Sequence, residues 1–194
     1  MRTEKGFTLV ELMVVVAMIG MLVSIVTPQI TGLIERGKVT KVIGLAKSLE
    51  TAELAHFYDT GYWATEYDIG DWADPPNQLS ENAHGLAGWK GPYISKPLTW
   101  IDNPANNDLE MGALSNSPAN WCCCGSCSFD LNRNGDQETT TGAALLLFGV
   151  NQRLAQGVDN TIDGNDASGD WSNRGKIKHD GSSLAIHIAV QTAQ

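Results

Sequence analysis

Twenty residues from Phe7 to Val26 contain one charged side chain, Glu11, and no other stretch of the chain restricts its fold as strongly. As a helix rising about 1.5 Å per residue, such a run crosses the roughly 30 Å hydrocarbon layer of a bilayer. It exceeds the apolar core of a secretory signal peptide, about 7–15 residues, and no small-residue cleavage site follows, so the segment is expected to stay in the mature protein. The leader MRTEKG carries Arg2 and Lys5 against Glu4. The positive-inside tendency keeps that leader cytoplasmic and sends the following domain to the other side.

An ionised carboxylate within a membrane helix costs about 2.5–3.5 kcal/mol on insertion scales, and less near a helix end. No lysine or arginine lies between Phe7 and Ile34, so the partner of Glu11 is expected to come from another molecule.

Gly6-Phe7-Thr8-Leu9-Val10-Glu11-Leu12 resembles the cleavage and methylation motif of type IV pilins and type II secretion pseudopilins. The alternative is an ordinary signal anchor with a glutamate near its end. The resemblance implies that a prepilin peptidase cuts between Gly6 and Phe7 and that Phe7 becomes N-methylated. Glu11 is then the fifth residue of the mature chain and pairs with the protonated amine of a neighbouring subunit. It further implies a single-pass protein of the bacterial inner membrane with its head in the periplasm or outside. Its partners would be identical and related pilin-like subunits and an inner-membrane assembly platform.

Pro28 removes a backbone donor, and in the filaments of this family the helix curves or melts near such a position. Beyond it Val42, Leu45, Ala46, Leu49, Ala52 and Ala55 recur at steps of three and four, with Lys41, Lys47, Glu50 and Glu53 between them. This predicts an amphipathic continuation to Tyr58, a helix of about 52 residues and roughly 78 Å if continuous. Four segments result: a leader over 1–6, a membrane and polymerisation half over 7–28, an amphipathic half over 29–58, and a head over 59–194. A loop-rich insertion is expected over 97–141.

Two head segments resemble those of major pseudopilins: Phe57-Tyr58-Asp59-Thr60-Gly61-Tyr62-Trp63-Ala64-Thr65 at the helix exit, and Gly88-Trp89-Lys90-Gly91-Pro92-Tyr93-Ile94. The second also suits a plain Gly-Pro turn between core aromatics. The Asp-Pro-Trp-Gly segment expected soon afterwards is missing. Thr140 to Gln156, ending at Gly157, reads as a short buried helix, with a buried strand as the alternative. Asp180-Gly181 marks a hairpin before the alternating Leu184, Ile186, Ile188 and Val190. The expected fold is α+β and pilin-like, a long N-terminal helix packed on a small antiparallel sheet.

Asp159, Thr161, Asp163, Asn165 and Asp170 occupy oxygen-bearing positions of a twelve-residue calcium loop with Gly164 at its sixth place. Thr161 and Asp170 depart from the template, and an acidic surface turn is the alternative. The resemblance points to calcium in this region, since major pseudopilins hold calcium in C-terminal loops of the head. Asp130 to Glu138 matches the first half of the same template and reads better as an Asn-Gly turn. Cys122, Cys123, Cys124 and Cys127 fall within six positions. They are expected to form local or intermolecular disulfides, with a thiolate metal site as the alternative.

A formal net charge of −9 argues against phosphate-backbone binding and hence against nucleic acid as a partner. His56, His84, His179 and His187 are scattered, with His187 expected at the surface or core edge, and no nucleophile–base pair emerges, so no enzyme is expected. The leading expectation is a type II secretion pseudopilin, and a type IV pilus pilin for adhesion, motility or DNA uptake is the alternative. A membrane-tethered metal-binding module stands third.

Overall fold

The computed structural model describes residues 6–67, 77–82, 85–105, 109–113, 129, 131, 142–164 and 175–190. It divides into two compact units, residues 1–37 and 38–194.

Helix α1 covers Leu9–Thr60, two residues past the expected end. In the first unit its side chains are exposed on every side as far as Ile34, and it is the one described helix long and apolar enough to cross a membrane. Pro28 lies inside the helix. Around it Ser24, Thr27 and Thr31 donate their hydroxyls to the carbonyls of Met21, Val23 and Pro28 at 2.7–2.9 Å. Proline takes the i+4 donor from the Ser24 carbonyl, and these short-range bonds serve carbonyls on either side of that break.

In the second unit the helix becomes one-sided, with Val42, Ala46, Leu49 and Ala52 buried. Each fully buried aliphatic side chain contributes about 1.5–3 kcal/mol of apolar transfer energy. The helix ends at Gly61, whose φ of 78° is open to glycine and whose N–H donates to Phe57 O at 2.8 Å.

Five antiparallel strands follow, in spatial order β1-β2-β3-β5-β4. They are β1 Glu66–Tyr67, β2 Leu109–Ala113, β3 Gly142–Phe148, β4 Ile177–His179 and β5 Ser183–Val190, with a 3-10 turn at Trp100–Asp102 and helix α2 at Gln152–Ile162. Leu145 pairs with Ile186 and Leu147 with Leu184 in the β3–β5 register, and these four side chains join the cluster built on α1. Leu154, Ala155 and Val158 of α2 complete it. On the opposite sheet face Ala144, Leu146 and Ala185 pack with Phe129, which is wholly buried.

Coverage of both faces corrects the helix expected over Thr140 to Gln156. Strand β3 is apolar along its whole length because neither face meets water, so its period-2 signal vanishes, and the strand alternative holds. Helix α2 starts later, where Asn151 Oδ1 accepts the N–H of Leu154 at 2.9 Å. Strand β2 lies within the stretch expected as a loop-rich insertion, 97–141, and pairs with both β1 and β3. The 180–182 hairpin forms as expected, with Asp180 Oδ1 accepting the N–H groups of Ser182 and Ser183 at 2.9 and 2.7 Å.

Gly157, expected just after a helix, instead lies inside α2 where that helix meets α1. A Cβ there would stand 2.7 Å from Val39 Cγ2, a branched and stiff neighbour. Gly157→Ala is therefore expected to lower unfolding free energy by about 1–3 kcal/mol despite better helix propensity. Adding Val39→Ala should recover part of the loss, and denaturant titration of the four proteins in the cycle measures the coupling.

Candidate functional site

At the start of α1 the carboxylate of Glu11 has a partner that the sequence reading overlooked. Thr8 donates both its backbone N–H and its hydroxyl to Glu11 Oε2, at 2.9 and 2.8 Å. Glu11 returns its own N–H to Thr8 Oγ1 at 3.3 Å. This is a capping box, legible as Thr-x-x-Glu immediately before an apolar run. It satisfies donors at the helix start that would otherwise lack intrahelical partners. The expectation that Glu11 finds a partner only in another molecule is corrected to that extent. Oε1 stays without a hydrogen bond among the described residues.

The second assembly joins the two segments quoted from the head. Asp59, in the last turn of α1, accepts from Lys90 Nζ at 2.8 Å and from the Tyr93 hydroxyl at 2.9 Å. Tyr93 Oη in turn accepts the N–H of Lys90 at 3.0 Å. Both bonds hold the Asp59 carboxyl below its usual range, the Lys90 hydrogen bond first. Gly88, with φ of 89°, brings its backbone against the Asp59 carbonyl oxygen, where a Cβ would collide. Trp89 donates its indole N–H to Gln78 O at 2.9 Å and meets Tyr93 edge-on. The Trp-Lys-Gly-Pro-Tyr segment therefore clasps the helix exit rather than forming an isolated turn.

Three ionisable groups lie beneath this clasp. Glu53, fully buried on α1, accepts the N–H of Ala64 at 3.1 Å, and its other oxygen has no hydrogen-bond partner among the described residues. Desolvation pushes its carboxyl up to about 8. Glu66 on β1, also buried, accepts from Leu79 N–H and Ser80 hydroxyl at 3.0 and 3.1 Å, and desolvation raises it as well. The Glu66 charge adds a smaller upward push on Glu53. His56 meets the Tyr62 carbonyl at 2.9 Å and the Tyr93 ring edge-on, and burial lowers its pKa. These groups fix the 61–66 segment to α1.

The calcium template is not realised as a loop over its first four positions. Asp159 and Thr161 belong to α2. Asp159 is buried and Thr161 exposed, and the Thr161 hydroxyl donates to Gly157 O at 2.8 Å. Two positions apart, helical side chains point about 200° apart around the axis and cannot converge on one ion. Asp163 caps α2 and accepts the N–H of Lys176 at 2.8 Å. Among the described residues no three metal-ligating side chains gather. Asn165, Asp170, the Asp130–Glu138 segment except Leu131, and Cys122, Cys123, Cys124 and Cys127 lie outside the described residues.

His187, expected at the surface or core edge, is buried on the second sheet face, edge-on to Phe129, with both ring nitrogens lacking partners. Desolvation brings it down to about 4, so it is neutral at physiological pH and positioned as core.

A family profile described as the prokaryotic N-terminal methylation motif matches residues 1–27. A fimbrial protein of Pseudomonas aeruginosa is 46% identical over 51 residues, 26% of this chain and 33% of the relative. The type IV major fimbrial protein FimA of Dichelobacter nodosus is 47% identical over 48 residues, 25% of this chain and 31% of the relative. The type IV major pilin protein PilE1 of Neisseria gonorrhoeae is 26% identical over 134 residues, 62% and 75% respectively. The chain thus spans about a third of the length of the first two relatives. No solved structure matches it. With its methylation motif, long N-terminal helix and antiparallel head, the chain is pilin-like.

The raised carboxyl of Glu53 gives a pH prediction. Unfolded, it ionises near 4.5, whereas the fold holds its proton to about 8. Its favourable neutral state is fully present below pH 4.5 and is lost as pH rises through 8. Glu53→Gln keeps an acceptor for Ala64 without a charge. It is expected to raise Tm at pH 8 and flatten the fall in stability between pH 5 and 8, followed by thermal melts across that range.

Proposed function

We propose that this chain is a structural subunit of a type IV pilus. The observation that carries this reading is the Gly6–Leu12 motif placed at the head of a helix that is predominantly apolar and exposed all round as far as Ile34. A prepilin peptidase removes residues 1–6 and Phe7 is N-methylated. The subunit is stored in the inner membrane, with lipid covering the apolar helix until neighbouring subunits replace it at the assembly platform. That exchange keeps the same surface away from water, so packing and polar pairing, rather than fresh hydrophobic transfer, select the arrangement.

Glu11 has two oxygens for two tasks. Oε2 is held by Thr8, which fixes the carboxylate at the helix start. Oε1 is left to accept the methylated amine of Phe7 on an incoming neighbour, a charge-assisted contact strengthened by the absence of water. Pro28 marks the point where the helix adjusts its course on entering the filament.

The fimbrial and pilin names of the relatives support a pilus over a secretion pseudopilus, although the two quoted head segments had favoured the latter. The finished filament then stands on the cell surface.

Glu11→Ala is expected to leave the processed subunit in the membrane fraction at normal levels while sheared surface filaments fall at least about tenfold, the loss of one desolvated polar contact. Filaments at parental levels would remove Glu11 from assembly.

A further inference from the structure

The head carries an aromatic knob and an aliphatic hole that its own fold leaves unmatched. Tyr58 is 88% exposed, with Leu54 at 47% one turn before it on α1 and Tyr62 at 63% just past the helix stop. Among the described residues the Tyr58 ring makes no hydrogen bond or ring contact, and the charge it does feel, Lys90, is already paired with Asp59. Exposed apolar groupings of this kind mark surfaces that are covered in an assembly. The hole is a half-open cavity of about 270 Å³ between α1, the end of α2 and β5. Its walls include Ile43, Ile162 and Ile186, and Lys47, Glu50 and Lys176 stand around it. Neither lysine enters an ion pair among the described residues.

We infer that Tyr58 of one copy of this chain seats in the cavity of the next copy. This inference rests on the filament reading above and names one of its head-to-head contacts. Tyrosine fits the chemistry of the hole: its ring suits the isoleucine walls, and its hydroxyl can accept from Lys47 or Lys176 and donate to Glu50. A purely aliphatic occupant would leave those charged groups without partners.

The placement also decides the kind of contact. Tyr58 lies eleven residues beyond Lys47 on the same helix, about 16 Å along the axis. Knob and hole therefore cannot meet within one chain. Copies anchored by the same terminus run parallel, so a copy displaced by roughly that distance along the axis presents its cavity at the level of its neighbour's Tyr58. Each copy then offers a knob to one neighbour and a hole to the other, a heterologous contact that does not close and propagates as a filament.

The test uses the full chain in cells that assemble filaments. A photo-crosslinking benzoylphenylalanine replaces Tyr58, sheared filaments are irradiated, and the joined peptides are identified by mass spectrometry. Crosslinks between position 58 and the segments holding Lys47, Ile162 or Lys176 of another copy, seen as a ladder of multimers, are expected. Ile43→Trp, which fills the hole, should reduce them about tenfold. Because a core-edge tryptophan can disturb folding, the exposed Lys47→Glu serves as a second variant and should reduce them in the same direction with Tm unchanged. Filaments that form normally but crosslink elsewhere, or only as single chains, overturn this contact and leave the pilus reading intact. If the parent chain forms no filaments at all, both are overturned.

Discussion

The apolar stripe of α1 from Val42 to Ala52 is the surface on which the head is assembled. Leu145 and Leu147 of β3, Leu184 and Ile186 of β5, and Leu154 and Val158 of α2 all bury against one cluster with it. Among the described residues the second sheet face gathers a smaller cluster, Phe129 with Ala144, Leu146 and Ala185. Loss of the helical stripe would expose the central strand on the face that carries most of the buried leucines. Helix and sheet are thus one cooperative body within the second unit.

The same helix carries two different solutions to solvation. Through Ile34 it is exposed all round, and from Val42 onward it is one-sided. The change falls within a single stretch of hydrogen-bonded backbone, so nothing in the helix geometry marks it. Only the side-chain pattern does. This is why the sequence divided the chain near its proline, whereas the compact units divide after Gly37, where helical side chains first find partners in the head.

What could be read from sequence followed from periodicity and short-range chemistry. The length of α1, its glycine stop at Gly61 and the Asp180-Gly181 hairpin depend on neighbours a few residues apart, and each is local enough to be legible. Strand β3 was ambiguous because burial on both faces erases alternation. The calcium spacing presumes a loop, a list of oxygen-bearing residues at set intervals, whereas α2, capped at Asn151, continues through the first four positions. The Thr8–Glu11 box, by contrast, is legible from four residues, Thr-x-x-Glu ahead of an apolar run, and it lies within one turn of its own chain.

The clasp at the helix exit shows how a long-range contact can leave only a faint trace in sequence. Asp59 lies 31 and 34 residues before Lys90 and Tyr93 yet shares one hydrogen-bonded cluster with them. Its physical role is to hold down a segment above Glu53 and Glu66, two buried carboxyls that burial drives toward the neutral form. Were the 61–66 segment to lift, water would reach Glu53, restore its ordinary acidity and favour ionisation in the opened state. In the Asp59–Lys90 pair the lysine is exposed and the carboxylate largely covered, and the pair closes the cover over groups whose protonation depends on staying dry.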